Sequence, residues 1–298
     1  MTTVRRESRA FFRGMLFVGP WVVGFLVFTL IPVGLSLYYS FCDYSLLQRE
    51  PPVFKGLDNY RALAVDPVFW KSLGNTGLYA VLALPLGMIA ALGVAMLLNQ
   101  KISGVSLYRT IVFLPSLVPT VASAMLWLWL FNGKLGLINV ALSAIGVPNP
   151  PGWLTDPKWA MPALVLMSLW GVGNTVVIYL AGLQDVPREL YEAADIDGAT
   201  RLRQVWHVTL PCISPVIFFN LIMGIIGTLQ VFAVPFIMTG GGPARSTYFY
   251  TMYLYDNAFS YLKMGYASAM AWVQLLLVLL LTGLAAWTSK RWVHYQGK

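Results

Sequence analysis

Glu192-Ala-Ala-Asp-Ile-Asp-Gly-Ala-Thr-Arg-Leu-Arg-Gln-Val-Trp-His-Val-Thr-Leu-Pro211 is a short charged island between two long apolar stretches. Residues 184–207 read as two short helices with a bend. Pro187 suits the first turn of a helix. Asp185 and Glu189 put negative charge near its positive dipole end. Leu190, Ala193 and Ala194 fall at i, i+3 and i+4, a small apolar face, and Leu202, Val205 and Trp206 repeat that spacing on the second helix. Gly198 between them can adopt φ > 0 and turn the chain sharply. Pro211 then fixes the entry into the next apolar run. A helix lying on lipid headgroups carries a large hydrophobic face and a Lys/Arg-rich polar face. This segment is rich in acid and alanine instead, and alanines let a helix approach a partner closely, so it reads as a docking loop.

The remainder of the chain is built for a membrane. Of 298 residues, 58% are hydrophobic and 11% charged, with a mean hydropathy of +0.67. A soluble domain has about 25% charged residues. The net charge of +8 comes from scattered basic residues that border apolar runs, so it is no nucleic-acid footprint. Two cysteines, Cys42 and Cys212, make no disulfide framework. They fall at opposite faces of a core about 30 Å thick, while a disulfide needs Cα atoms within about 7 Å. His207 and His294 lie far apart, and no His/Cys ligand cluster for a metal is visible. Arg5, Arg6, Arg9 and Arg13 precede an apolar run too long for a signal h-region of roughly 7–15 residues, so it reads as an uncleaved first span.

Six stretches are long enough to cross, near 14–39, 73–98, 107–131, 160–183, 208–238 and 267–288; a span needs about 20 residues. The expected fold is all-α, six transmembrane helices in a single domain over 1–298. The fifth stretch holds Pro211, Pro215, Gly224, Gly227 and Pro235 and reads as kinked or broken, which membranes tolerate where backbone is buried or lines a cavity. Charges set the orientation. With the N-terminus inside, Arg5, Arg6, Arg9, Arg13, Lys101, Arg109, Arg188, Arg201, Arg203, Lys290, Arg291 and Lys298 are cytoplasmic. Arg49, Lys55, Arg61, Lys71, Lys134, Lys158, Arg245 and Lys263 are external. Both termini and the charged island come out cytoplasmic. Trp153, Trp159, Trp287 and Trp292 fall near span ends, as interfacial aromatics facing membrane lipids do. The ionisable side chains fall in loops or tails, none at mid-depth. Ion-coupled transporters carry such groups as relays, although some sodium sites use only backbone and hydroxyl oxygens.

The pattern Glu192, Ala193, Ala194, Asp197, Gly198, Ala199, Leu210 and Pro211 resembles the EAA loop of ABC-importer permeases. The resemblance extends to Arg109-Thr-Ile-Val-Phe-Leu-Pro-Ser-Leu-Val-Pro119, Tyr179–Glu192, Thr239-Gly-Gly-Gly-Pro-Ala-Arg-Ser-Thr247 and Tyr253-Leu-Tyr-Asp-Asn-Ala-Phe259. Together these look like the carbohydrate-type permeases, of the maltose first-permease or glycerol-phosphate kind. The resemblance implies a type I importer fold and a prokaryotic inner-membrane location. It implies a heterodimer with a second permease, two copies of a cytoplasmic ATPase and an external solute-binding protein. ATP and magnesium would sit on the ATPase. No cofactor is expected on this chain, and no Gly-x-x-x-x-Gly-Lys-[Ser/Thr] phosphate loop is seen. The chain reads as a non-catalytic subunit.

By the same resemblance, a carbohydrate-like solute would pass Met167, Trp170, Gly171 and Asn174 before the loop and Gly224, Thr228 and Val231 after it, with Ser116 a further candidate. Several polar residues of the relatives are replaced here by Met, Gly or Val. The chemistry agrees in part: Trp170 offers an aromatic face, and Asn174, Thr228 and Gln230 offer neutral donors and acceptors. Each polar residue can equally be interhelical glue, worth about 0.6–2 kcal/mol. His207 fits an interfacial hydrogen bond. The rival readings are a self-sufficient secondary transporter or channel, whose coupling sites are not found, and an intramembrane enzyme, whose nucleophile and base are not found. Both leave Glu192–Pro211 unexplained.

Overall fold

The computed structural model describes residues 2–47, 50–100 and 103–294, with side chains from residue 14 onward. Of the charges used for orientation, Arg49, Lys101 and Lys298 lie outside the described residues, as do the side chains of Arg5, Arg6, Arg9 and Arg13. In chain order, helix α1 (Thr2–Phe25) continues through a π-helical turn (Leu26–Leu30) into α2 (Ile31–Ser40). A two-strand hairpin, β1 (Cys42–Asp43) and β2 (Val53–Phe54), leads to α3 (Asp58–Val65) and α4 (Pro67–Leu98). Then come α5 (Val105–Leu117), α6 (Thr120–Leu130), α7 (Leu137–Ala144), α8 (Pro157–Trp170) and α9 (Gly173–Gln184). Helices α10 (Arg188–Ile196) and α11 (Arg201–Gln204), a π-helical turn (Val205–Thr209) and α12 (Leu210–Cys212) make up the charged island. Last are α13 (Ser214–Leu229), α14 (Ala233–Met238), α15 (Tyr250–Tyr255) and α16 (Met264–Ser289).

Among the described residues, four runs are long and apolar enough to cross a membrane unaided: Gly14–Ser40, Pro67–Leu98, Ser214–Met238 and Met264–Ser289. The third and fourth expected spans are not single helices. Between α5 and α6 the direction changes by 98°, and between α8 and α9 by 48°. The first break has a local cause. Val118 and Pro119 are both extended (ψ 129° and 138°), because a residue before proline is pushed out of the helical region. At the second, Gly171 and Val172 leave the helix without any proline. The expected break in the fifth span is present at Gln230–Phe232, between α13 and α14. Charges also depart from the loop-and-tail assignment: Arg5, Arg6, Glu7, Arg9 and Arg13 lie in α1, and Lys158 lies in the first turn of α8. Lys71 lies in the first turns of α4, which begins at Pro67, earlier than the hydropathy edge. Arg109 lies inside α5.

The chain forms two compact units. One comprises the residues up to Asp66 together with Leu254–Val273. There the hairpin pairs Cys42 with Phe54 and Asp43 with Val53, and Lys55 Nζ meets Asp43 Oδ2 at 2.9 Å. Asn59 Nδ2 donates to the Ser40 and Cys42 carbonyls, each at 2.9 Å, capping the end of α2. Tyr266 donates to Asp66 Oδ2 at 2.6 Å.

The other unit comprises Pro67–Tyr253 and Gln274 onward. It has two apolar cores. One gathers Tyr79, Ala83, Trp127, Phe131, Met161, Leu164, Met167 and Phe249. The second, toward the charged island, gathers Ala91, Ala95, Leu98, Val176, Tyr179, Leu180, Leu183, Val186 and Ile213. Helix α4 carries a buried polar stripe at helical spacing, Ser72, Asn75, Thr76 and Tyr79. Asn75 Nδ2 donates to the carbonyls of Arg245 (2.8 Å) and Tyr248 (3.0 Å). Thr76 Oγ1 accepts from the Tyr250 amide at 2.9 Å. This stripe holds the turn after α14, where Ala244 and Arg245 take positive φ of 48° and 57°.

Candidate functional site: a charged bend and a neutral cavity

The charged island folds as its residue types direct. Pro187 occupies the cap position before α10, with extended ψ of 133°, one step earlier than the first-turn place expected. Gly198 takes φ +72° and reverses the chain, and Thr200 Oγ1 caps α11 by accepting the Arg203 amide at 3.5 Å. Gln204 ties the two halves together, its Nε2 donating to Asp195 Oδ1 on α10 and to the Ala199 carbonyl. Glu192, Ala193, Asp197 and Gly198 are exposed, while Ala194 and Ala199 are half-buried. Around them Leu190, Ile196, Leu202 and Trp206 stand 43%, 87%, 69% and 63% exposed. Small residues, acids and projecting aliphatic groups thus share one bend.

The bend is attached rigidly to the spans. Tyr191 is half-buried in the second core beside Val208 and Cys212, and its hydroxyl shares a hydrogen with Thr209 Oγ1 at 3.0 Å. Thr209 sits in the π-helical turn that leads through Leu210 and Pro211 into α13. Helix α10 is therefore joined to the fifth span by a half-buried side-chain contact as well as by the backbone. The sequence reading missed Tyr191, Gln204 and Thr209. His207 Nδ1 pairs with the Arg203 carbonyl at 3.0 Å, a local hydrogen bond.

The solute-path candidates divide three ways. Ser116, Met167, Trp170, Gly171 and Asn174 line one cavity of about 210 Å³ with Tyr79, Thr120, Ser123, Ser168 and neighbours. Gly224 and Thr228 line a second, of about 250 Å³, with Tyr79, Leu84, Met88, Ser168, Thr175, Asn220 and Met223. Gln230 and Val231 line neither; Gln230 is exposed at the break after α13, and Val231 packs on the first core. Neither wall carries a charged side chain. The signal for Tyr79 was legible as the end of the polar stripe on α4. Ser168 was legible from its place between Met167 and Trp170.

Two breaks build the first cavity. The bend at Val118–Pro119 turns Ser116 and Thr120 onto it from α5 and α6, and the bend at Gly171 brings in Trp170 and Asn174 from α8 and α9. Gly173 makes this possible: a Cβ there would stand 2.8 Å from the Val112 carbonyl and 3.0 Å from Ser116 Oγ. The wall hydroxyls donate backwards into their own helices. Ser116 donates to Phe113 (2.7 Å), Ser168 to Val165 (2.6 Å) and Thr228 to Gly224 (2.7 Å). Their lone pairs are left to accept from a solute. Trp170 meets Trp127 edge to face at 6.1 Å, a rigid aromatic wall. Such a cavity suits a neutral solute with many hydroxyls.

Compared with known proteins, residues 83–294 match the family described as binding-protein-dependent transport system inner membrane component. The chain is 40% identical over 300 residues to the probable ABC transporter permease protein YesP of Bacillus subtilis, covering 99% of this chain and 95% of that one. It is 35% identical to the lactose transport system permease protein LacF of Rhizobium radiobacter, covering 97% and 98%. The fold is similar to that in the crystal structure of a bacterial ABC transporter involved in the import of the acidic polysaccharide alginate. There the TM-score is 0.83 and the identity 25%, covering 98% of this chain and 99% of that one.

Proposed function

The chain belongs to the family of binding-protein-dependent transport system inner membrane components, and on that premise we propose that it is one of two permease subunits forming the membrane path of an ATP-driven importer. Its solute is a sugar, an oligosaccharide or a related polyol. Two copies of a cytoplasmic ATPase engage the permease pair, and an external binding protein delivers the solute. This chain hydrolyses nothing itself. Both termini and α10–α11 face the cytoplasm.

The observation that carries the reading is the bend at Gly198. Its exposed aliphatic and acidic side chains leave a surface shaped for a partner, while Tyr191 and Thr209 lock its other face to the fifth span. Glu192, Ala193, Ala194, Asp197, Gly198 and Ala199 form the docking surface, and Leu210 and Pro211 pass its movement to α13. Closure of the ATPases on ATP would swing this lever and change which side of the membrane the cavity faces. Charges on the bend fix register with the partner more than they add affinity. For the solute, Ser116, Met167, Trp170, Gly171 and Asn174 form the first contact set, with Gly224 and Thr228 beyond. Relatives named for lactose and for trehalose and maltose transport support the sugar class.

The test is ATP hydrolysis and uptake by the complex reconstituted with its ATPase and binding protein, comparing wild type with Gly198→Asp. Aspartate adds a side chain at φ +72° and a third acid beside Asp195 and Asp197. Hydrolysis and uptake are expected to fall together while the permease still folds. Wild-type levels of both would sink the docking reading and favour a self-sufficient secondary transporter.

A further inference from the structure

A third cavity, of about 370 Å³, is larger than the two already described and lies wholly in the unit that joins the residues up to Asp66 with Leu254–Val273. Its size falls in the range of about 300–1,000 Å³ seen for small-molecule sites. Three tyrosines wall it: Tyr44 from the hairpin loop, Tyr261 from the turn before α16, and Tyr266 from the first turn of that helix. Two backbone hydrogen bonds hold the walls together. The Leu46 amide donates to the Leu262 carbonyl and the Gly265 amide to the Tyr44 carbonyl, each at 3.0 Å. Gly265 lets them close up, since a Cβ there would run into the Cys42 carbonyl oxygen. Leu262 between them takes φ +56°, a strained conformation for leucine that persists where the surroundings impose it.

The polar groups on the wall are of both hydrogen-bonding kinds. Asn59 spends its amide hydrogens on the Ser40 and Cys42 carbonyls, which fixes its Oδ1 as an acceptor. The Tyr44 and Tyr261 hydroxyls make no hydrogen bond among the described residues and can donate or accept. Asp43 gives one carboxylate oxygen to Lys55. Lys263 forms no ion pair among the described residues. An anion here would face Asp43 and a cation would face Lys263, so the charges favour neither. A purely apolar ligand would leave the Asn59 and Asp43 oxygens without donors, a cost of about 1–3 kcal/mol for each buried group. A sugar ring answers the whole set, its C–H face packing on tyrosine and its hydroxyls donating and accepting.

We propose that this cavity is a second saccharide site, which holds one sugar unit at the external face. This rests on the transport reading above, whose orientation puts Lys55 and Lys263 outside. Its role is retention: solute released by the binding protein is kept at the external face. Unlike the two cavities of the solute path, its wall carries charged side chains.

The experiment uses the assembled transporter in proteoliposomes. Cys42 is fully buried and Cys212 is replaced by serine, so that Ser45→Cys in the cavity wall is the reactive thiol. The parent lacking Ser45→Cys gives the background. A charged, membrane-impermeant methanethiosulfonate is applied from each face, with lactose, trehalose or maltose as the probe and mannitol as the osmotic control. The thiol is expected to react from the external face, and at least one disaccharide should slow it. Tyr261 is 50% exposed, so replacing it tests binding with little burden on folding. Tyr261→Phe should raise the half-protecting sugar concentration about 2- to 12-fold, the range that losing one hydrogen bond gives. Tyr261→Ala, which also loses the ring, should raise it further. No slowing by any of the three sugars overturns the site, as does slowing that mannitol matches or that Tyr261→Ala leaves unchanged. Protection by the sugar-free binding protein alone would make the cavity a protein contact and overturn it too. Reaction from the cytoplasmic face only would overturn the orientation, and the transport reading with it.

Discussion

Three glycine-to-alanine substitutions should rank by what the new methyl meets, and not by how near it comes. At Gly173 a Cβ would lie 2.8 Å from the Val112 carbonyl oxygen and 3.1 Å from Phe113 Cα, both backbone. Ordinary contact begins at 3.4 Å, so α5 and α9 must separate along their crossing. Backbone shifts of this kind cost about 1–3 kcal/mol. At Gly182 the methyl would meet Val216 Cγ2 at 2.8 Å, and at Gly224 it would run closer still into Leu84 Cδ1. Both neighbours are side-chain ends, and a rotamer change clears them for roughly 0.5–1.5 kcal/mol. Gly173→Ala should therefore be the most destabilised of the three, although its closest contact is not the shortest. The assay is the thermal midpoint of each purified variant in one detergent, with wild type alongside. Gly173→Ala should also lower solute affinity, since Ser116 sits at the same crossing. If Gly224→Ala melts below Gly173→Ala, the helix crossing is looser than its geometry indicates and the reasoning fails.

Other expectations follow from the bend and the loops. Gly198→Val should uncouple ATP hydrolysis more than Gly198→Asn, because a β-branched residue resists φ +72° while asparagine tolerates the left-handed region; equal activity of the two would show the turn's conformation is not used. Tyr191→Phe removes the hydrogen bond to Thr209, worth about 0.5–1.5 kcal/mol, and should lower solute moved per ATP hydrolysed with assembly intact. Asn139→Ala breaks bonds to the Gly133 and Pro151 carbonyls and to Trp153 Nε1, so its melting midpoint should fall further than that of Trp153→Phe. The Asp43 carboxylate raises the Lys55 pKa. The pair's contribution should be complete below the ordinary lysine value of 10.5 and fade only as pH rises through the raised one. Removing Lys55 should therefore not change the slope of stability with pH near neutrality.

How much of this was written in the sequence differs by level. Hydropathy marked the long apolar runs that fold as helices, since such a run in a sparsely charged chain has few other fates. It did not place the bends in the third and fourth. Val118–Pro119 was a legible signal, but Pro85 and Pro115 lie within helices, so proline alone does not distinguish a kink from a break. Gly171–Val172 carried no breaker stronger than one glycine. In the charged island the turn at Gly198 and the two helices were readable from spacing. Tyr191 and Thr209 were not, because the contact joins residues 18 apart across a turn whose angle the sequence leaves open. For the cavity, the candidates next to the bend in α8–α9 came together, while Gln230 and Val231 fell outside. A one-residue shift at the break after α13 is enough to turn a side chain away.

The Asn75 clamp has a consequence for biogenesis. Its acceptors, Arg245 and Tyr248, follow it by 170 and 173 residues. At ribosomal rates of about 5–20 residues per second, that interval is roughly 10–30 s. Through all of it the second span stands in or beside the bilayer with Asn75 and Thr76 awaiting their final partners. A nascent chain ending before the turn at Gly240–Thr247 is thus a membrane segment with an open polar flank, suited to recognition by membrane proteases. Completion of that turn marks the point at which the subunit becomes worth keeping.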